Sequence, residues 1–214
     1  MNRLLLLALA AFGLSTAALA ASPQQPKGDA TAGKDKVAVC TACHNSDGNS
    51  AVGMYPKLAG LGERYLFKQL RDIQSDERPV PEMTGMLTGL DDQDLADIAA
   101  WYSSQTRTTG QADPELAKLG EVIYRNGISE KKVPACAACH SVTGSGNALA
   151  AFPALAGQHA QYTEKQLRDF RAAADGDPDG RSNDDDDTRM MRTISYRLSD
   201  REIKAVSTYI QGLY

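Results

Sequence analysis

Apolar residues recur at helical spacing in several stretches of the chain. In GERYLFKQLRDI, residues 62–73, Leu66, Leu70 and Ile73 form a stripe that predicts an amphipathic helix. In DDQDLADIAAWYSS, residues 91–104, Leu95, Ile98, Ala99 and Tyr102 share one face, and acids stand at the end where the helix dipole favours them. PELAKLGEVIYRNG begins on Pro114, suited to a first helical position, and stops near Gly127. IKAVSTYIQG, residues 203–212, repeats the pattern of LADIAAWYSS, residues 95–104. No convincing strand interrupts these segments, and the predicted fold class is all-α.

One apolar run has a different character. After Arg3 it extends from Leu4 to Ala20 and ends Ala18-Leu19-Ala20, a small-residue cleavage pattern. Its 17 residues fall short of the ~20 a spanning helix needs. Residues 1–20 are therefore expected to be a cleaved signal peptide, and the mature chain a soluble, exported one.

The pattern then repeats itself. YPKLAGLGERYLFKQLRDI, residues 55–73, matches FPALAGQHAQYTEKQLRDF, residues 152–170, at ten of nineteen positions. A unit of about 90 residues used twice is too long for a solenoid and suits two small domains. The expected division is 21–105 and 114–214, joined by a linker at 106–113, a region without apolar periodicity.

Charge removes one class of function. With 23 Lys and Arg against 27 Asp and Glu, the chain lacks the basic excess that nucleic-acid binding requires.

The chemistry lies in the cysteines. All four fall in CTACH, residues 40–44, and CAACH, residues 136–140. Exported chains with four cysteines ordinarily form two disulfides, but here each pair is spaced i, i+3 and followed at once by histidine. A thioredoxin-like motif needs a preceding strand. A zinc site needs more ligands, and His159 is the one histidine left over. Cys-x-x-Cys-His is the attachment signature of a c-type haem. Two haem c groups are expected, one on Cys40 and Cys43, the other on Cys136 and Cys139, with His44 and His140 ligating the irons. The haems also supply apolar surface that domains this small otherwise lack.

Sixth ligands follow from internal alignment. The methionines available are Met54, Met83 and Met86 in the first copy and Met190 and Met191 in the second. Superposing the C-terminal segments at an offset of 108 places Met83 on Met191, with Met86 on Ile194 and Met190 on Glu82. Met83 and Met191 are the expected ligands. Pro56 and Pro153, 12 and 13 residues after the histidines, offer carbonyls for the other ring N–H. They also suit the starts of the helices that follow. His159 faces Gly62 in the alignment and is expected to be structural.

The motifs CTACHNSDGNS, PKLAGLGERYLFKQLRDI, EMTGML, LAGQHAQYTEKQLRDF and STYIQGLY together resemble the cytochrome c4 family over essentially the whole mature chain. The resemblance implies two cytochrome c-like domains related by a pseudo-twofold axis, with haem propionates meeting between them. It implies His44/Met83 and His140/Met191 ligation and electron transfer, without substrate chemistry, from an upstream donor towards terminal oxidases, the cbb3 type included. It also implies a place in the periplasm, with peripheral membrane association possible within the family. The alternatives are the cytochrome subunit of a flavocytochrome and a dihaem peroxidase-type enzyme, the latter disfavoured by paired methionines. One departure is the acidic stretch Asp175–Asp187, where Asp175, Asp177, Asp179 and Gly180 open like a calcium loop. Position 12 would be Asp186 rather than glutamate, so a solvated acidic loop is the expectation and calcium binding at Asp175–Asp186 is not.

Overall fold

The computed structural model describes residues 25–183 and 188–214. The expected signal peptide, residues 1–20, and Asp184–Asp187 of the acidic stretch lie outside the described residues.

In the first half the described helices are α1 (Ala30–Lys36), α2 (Thr41–His44), α3 (Glu63–Gln74) and α4 (Asp92–Ser103). In the second they are α5 (Pro114–Asn126), α6 (Ala137–His140), α7 (Ala160–Ala174), α8 (Met190–Tyr196) and α9 (Asp200–Gly212). Among the described residues there is no strand, and two isolated antiparallel bridges, Ile128 with Val133 and Asn147 with Phe152, pin loops.

The local chemistry accounts for the helix ends. At the start of α4 the Asp94 amide donates to the Asp91 carboxylate (2.9 Å) and the Asp91 amide to the Asp94 carboxylate (3.1 Å). Ser199 and Glu202 form the same reciprocal cap on α9. Asp113 caps α5 ahead of Pro114, and Gly127 leaves the helix at φ 73°.

Two helices escape the periodicity. α1, with the sequence ATAGKDK, has no apolar stripe, and glycine rather than bulk seats it. A Cβ on Gly33 would stand 2.0 Å from the Asp97 carbonyl oxygen of α4. The second half repeats this crossing, because a Cβ on Gly120 of α5 would stand 2.1 Å from the Ala205 carbonyl oxygen of α9. α8 is a seven-residue helix in a stretch too short to show a period.

Each half has its own core. In the first, Leu66 and Phe67 of α3 pack with Leu95, Ile98 and Tyr102 of α4. In the second, Ile123 and Tyr124 of α5 pack with Leu167 of α7 and Ile203, Val206 and Ile210 of α9.

The halves are bonded to each other. The Lys57 amide donates to Gln158 Oε1 (2.8 Å), and Gln158 Nε2 donates back to the Lys57 carbonyl (2.9 Å). The connection between α4 and α5, expected as a linker, runs against both halves. Its Arg107 donates through Nε to the Ala59 carbonyl (2.7 Å) and through Nη1 to the Ala154 carbonyl (3.0 Å). Peptide groups of this extended segment are satisfied in turn, as where the Gly110 amide donates to the Gln211 carbonyl.

The acidic stretch is exposed from Asp175 to Asp179, as a solvated loop would be, and departs from that expectation at Asn183. Asp177 accepts from the Asp179 amide (3.0 Å), and the chain then turns inward. Asn183 is buried at 7% exposure and donates to Asp72 of α3 (2.6 Å). A side chain with amide donors can enter where a carboxylate would stay outside. Among the described residues, no group of three His, Cys, Asp or Glu side chains could hold a metal ion. Asp186, the expected twelfth position of a calcium loop, lies outside them.

Candidate functional site

Each Cys-x-x-Cys-His motif is folded as a helical turn, so its first cysteine and its histidine lie on neighbouring positions of one face. The turn ends at once, with Asn45 at φ 58° and Ser141 at φ 67°. None of the four cysteines is in a disulfide, and burial pushes the Cys40 thiol up and the Cys136 thiol up to about 11.

The histidines are held identically. His44 donates through Nδ1 to the Pro56 carbonyl (3.0 Å), and His140 through Nδ1 to the Pro153 carbonyl (2.9 Å). The expected proline carbonyls therefore orient both rings and leave Nε2 as the remaining nitrogen. Tyr55 and Phe152 stand beside the two imidazoles at ring-centroid distances of 6.4 and 6.2 Å. Both histidines are buried, and burial pushes their basicity down despite the proline hydrogen bonds. They are held as neutral imidazoles, the form that ligates a metal.

A cavity of about 920 Å³ runs through both halves. Cys40, Cys43, His44 and Met83 line it on one side, and Cys136, Cys139, His140 and Met191 on the other. Met54, Met86 and Met190 also border it. Of these five methionines, Met83 and Met191 are the pair packed against the two apolar cores. Met54 and Met86 are about half exposed, at 47% and 48%. His159 is absent from the lining, and its Nε2 donates to the Ser50 carbonyl across the halves (2.8 Å).

The site fits covalently held haem. Thiols for two thioether bonds and an oriented neutral imidazole meet at each apolar wall. Two buried hydroxyls on the lining, Tyr102 and Thr163, find no hydrogen-bond partner in the protein. Tyr102 Oη lies beside Cys40, and Tyr124 stands in the corresponding place beside Cys136. The two phenols come from different helices, α4 and α5, and Tyr124 alone is satisfied, donating to the Ser141 carbonyl (2.8 Å).

Several residues at the junction carry no sequence signal that marked them: Arg107 and Gln158 between the halves, and Arg78 and Arg181 on the cavity lining. Tyr65 with Gln69 and Tyr162 with Gln166 were visible as repeat identities, and that was the one available hint.

Fold and donor set together define a c-type cytochrome with two haem sites. The family model for cytochrome c matches residues 30–106 and 117–214. The chain is 51% identical to the cytochrome c4 of Pseudomonas aeruginosa over 214 residues, with both chains covered completely. A crystal structure of reduced recombinant cytochrome c4 from Pseudomonas stutzeri superposes with a TM-score of 0.83 at 54% identity, covering 87% of this chain and all of that one. The thiosulfate dehydrogenase electron acceptor of Thiomonas intermedia is 35% identical, over 82% of this chain and 78% of its own length. The chain belongs to the cytochrome c4 family. It is an electron-transfer protein with two haem c groups, one for each Cys-x-x-Cys-His motif.

Proposed function

We propose that the mature protein works in the periplasm, after loss of residues 1–20, as a carrier of single electrons from an upstream donor to a terminal oxidase, the cbb3 type included. Residues 21–105 and 114–214 form its haem domains, with 106–113 between them. Cys40 and Cys43 hold the first haem and Cys136 and Cys139 the second. His44 with Met83, and His140 with Met191, ligate the irons. The observation that carries the ligand set is that Met83 and Met191 alone among the lining methionines are anchored on a core. With a histidine and a methionine holding each iron, neither haem would offer a site to a small molecule, and methionine would keep the potential high enough to deliver to an oxidase.

Among the described residues, no helix is long and apolar enough to cross a membrane.

The carrier reading predicts that the reduced protein binds carbon monoxide poorly at neutral pH and has negligible peroxidase turnover. Rapid stoichiometric binding at one haem of the undenatured protein would instead establish an open iron, as a dihaem peroxidase needs.

A second reading follows from the relative named as a thiosulfate dehydrogenase electron acceptor: the donor here is a dehydrogenase of that kind. Stopped-flow reduction by purified thiosulfate dehydrogenase and oxidation by oxidase-containing membranes separate the two roles. A flavin subunit that co-purifies tightly would favour the flavocytochrome alternative.

A further inference from the structure

Arg78 and Arg181 both line the cavity, and each belongs to a different half. They occupy equivalent places, since the Arg78 amide donates to the Asp72 carbonyl (2.9 Å) and the Arg181 amide to the Asp169 carbonyl (3.0 Å). Their side chains exchange partners across the junction. Arg78 donates to Gln69 of its own half (2.7 Å), and to Tyr162 Oη (3.1 Å) and Gln166 Oε1 (2.9 Å) of the other. Arg181 donates to Gln166 of its own half (2.6 Å), and to Tyr65 Oη (3.3 Å) and Gln69 Oε1 (2.9 Å) of the other. The pattern has twofold symmetry.

Every one of those acceptors is neutral. Among the described residues no carboxylate pairs with either guanidinium. Asp72 is near, but its Oδ2 is taken by Lys68 Nζ (2.5 Å) and Asn183 Nδ2 (2.6 Å). Two cations on the cavity wall with no carboxylate paired to them among the described residues are costly. The groups that belong in that cavity are the two haems, and each haem carries two propionate carboxylates. Guanidinium matches carboxylate in charge and in fork geometry.

We propose that Arg78 and Arg181 form one shared cationic bridge between the haem sites, which the haem propionates neutralise and which sets both reduction potentials together. A fixed positive charge disfavours the ferric state more than the ferrous one, so the bridge raises both potentials. Because each arginine is tied into both halves, its removal reaches both haems. The inference rests on the presence of two haems and is independent of which methionines ligate them.

The test is a spectroelectrochemical titration of the full holoprotein carrying Arg78→Gln or Arg181→Gln. Each variant should lower both potentials, and Arg78→Lys, which keeps the charge, should lower them less. Propionate bending bands in the resonance Raman spectrum should shift for both haems. A shift confined to one haem, or none, overturns the proposal. Tyr65→Phe and Tyr162→Phe remove cross-junction hydrogen bonds while leaving the charge, and should leave both potentials near wild type. A fall as large as that of the glutamine variants would show that packing at the junction, not charge, sets the potentials. Histidine variants at Met83 and Met191 test the ligand assignment separately, and their failure leaves this comparison intact.

Discussion

Met83→His lowers one of the two reduction potentials by a large part of the about 0.8 V that axial-ligand choice spans, and leaves the other nearly where it was. The thioether of methionine is a soft, weak donor that favours ferrous iron, whereas a second imidazole favours ferric iron. Met191→His does the same to the other haem. Each variant also removes the methionine-to-iron charge-transfer band from one haem only, which near-infrared spectra of the oxidised protein can read. The two residues differ in setting. Met83 ends a 3-10 turn begun by Pro81, and Met191 is the second residue of α8. Should Met86→His or Met190→His produce these changes while the other two variants do not, the ligand assignment fails.

Gly120→Ala destabilises the second half by at least about 1–3 kcal/mol, against the up to about 1 kcal/mol that alanine returns in a helix interior. The sign follows from what the new methyl meets. The Ala205 carbonyl oxygen would lie 2.1 Å away and the Tyr209 Cβ 2.6 Å away, and helix backbone cannot swing aside as a flexible side chain can. α5 and α9 must therefore separate, which withdraws Ile123 and Tyr124 from the core they share with Val206 and Ile210. Gly33→Ala should damage the first half in the same way. Calorimetry of the holoprotein should show a transition lowered by roughly 2–10 °C. An unchanged or raised transition would mean that the glycine contact is not what sets the helix crossing.

The helices α3, α4, α5 and α9 were legible because each buries a stripe, and burial writes itself into the sequence as a period. The acids that open α4 were equally readable, whereas the reciprocal cap of Ser199 and Glu202 on α9 emerged with the structure. α1 was not. Its contact is made by the absence of a side chain at Gly33, and an absence has no period. α8 is too short to declare one. In the acidic stretch, composition described Asp177 and Asp179 adequately but concealed Asn183, whose burial depends on Asp72 more than a hundred residues earlier.

The haem chemistry lies in local order: two thiols and an imidazole work as a unit because a single helical turn sets their spacing. The two Cys-x-x-Cys-His motifs therefore needed no tertiary structure to be recognised, and the repeat alone suggested the proposed pair Met83 and Met191. The junction between the halves is different in kind. Arg78 follows Asp72 by six residues and Arg181 follows Asp169 by twelve, so no alignment by spacing pairs them. Their equivalence exists only once both halves have folded and each guanidinium reaches the other half's tyrosine and glutamine. Gln158 with Lys57, and Arg107 spanning Ala59 and Ala154, are likewise contacts between residues about 50 or 100 positions apart. Hydrogen bonds of that range are selected by where the two domains dock, and only the tertiary structure decides that.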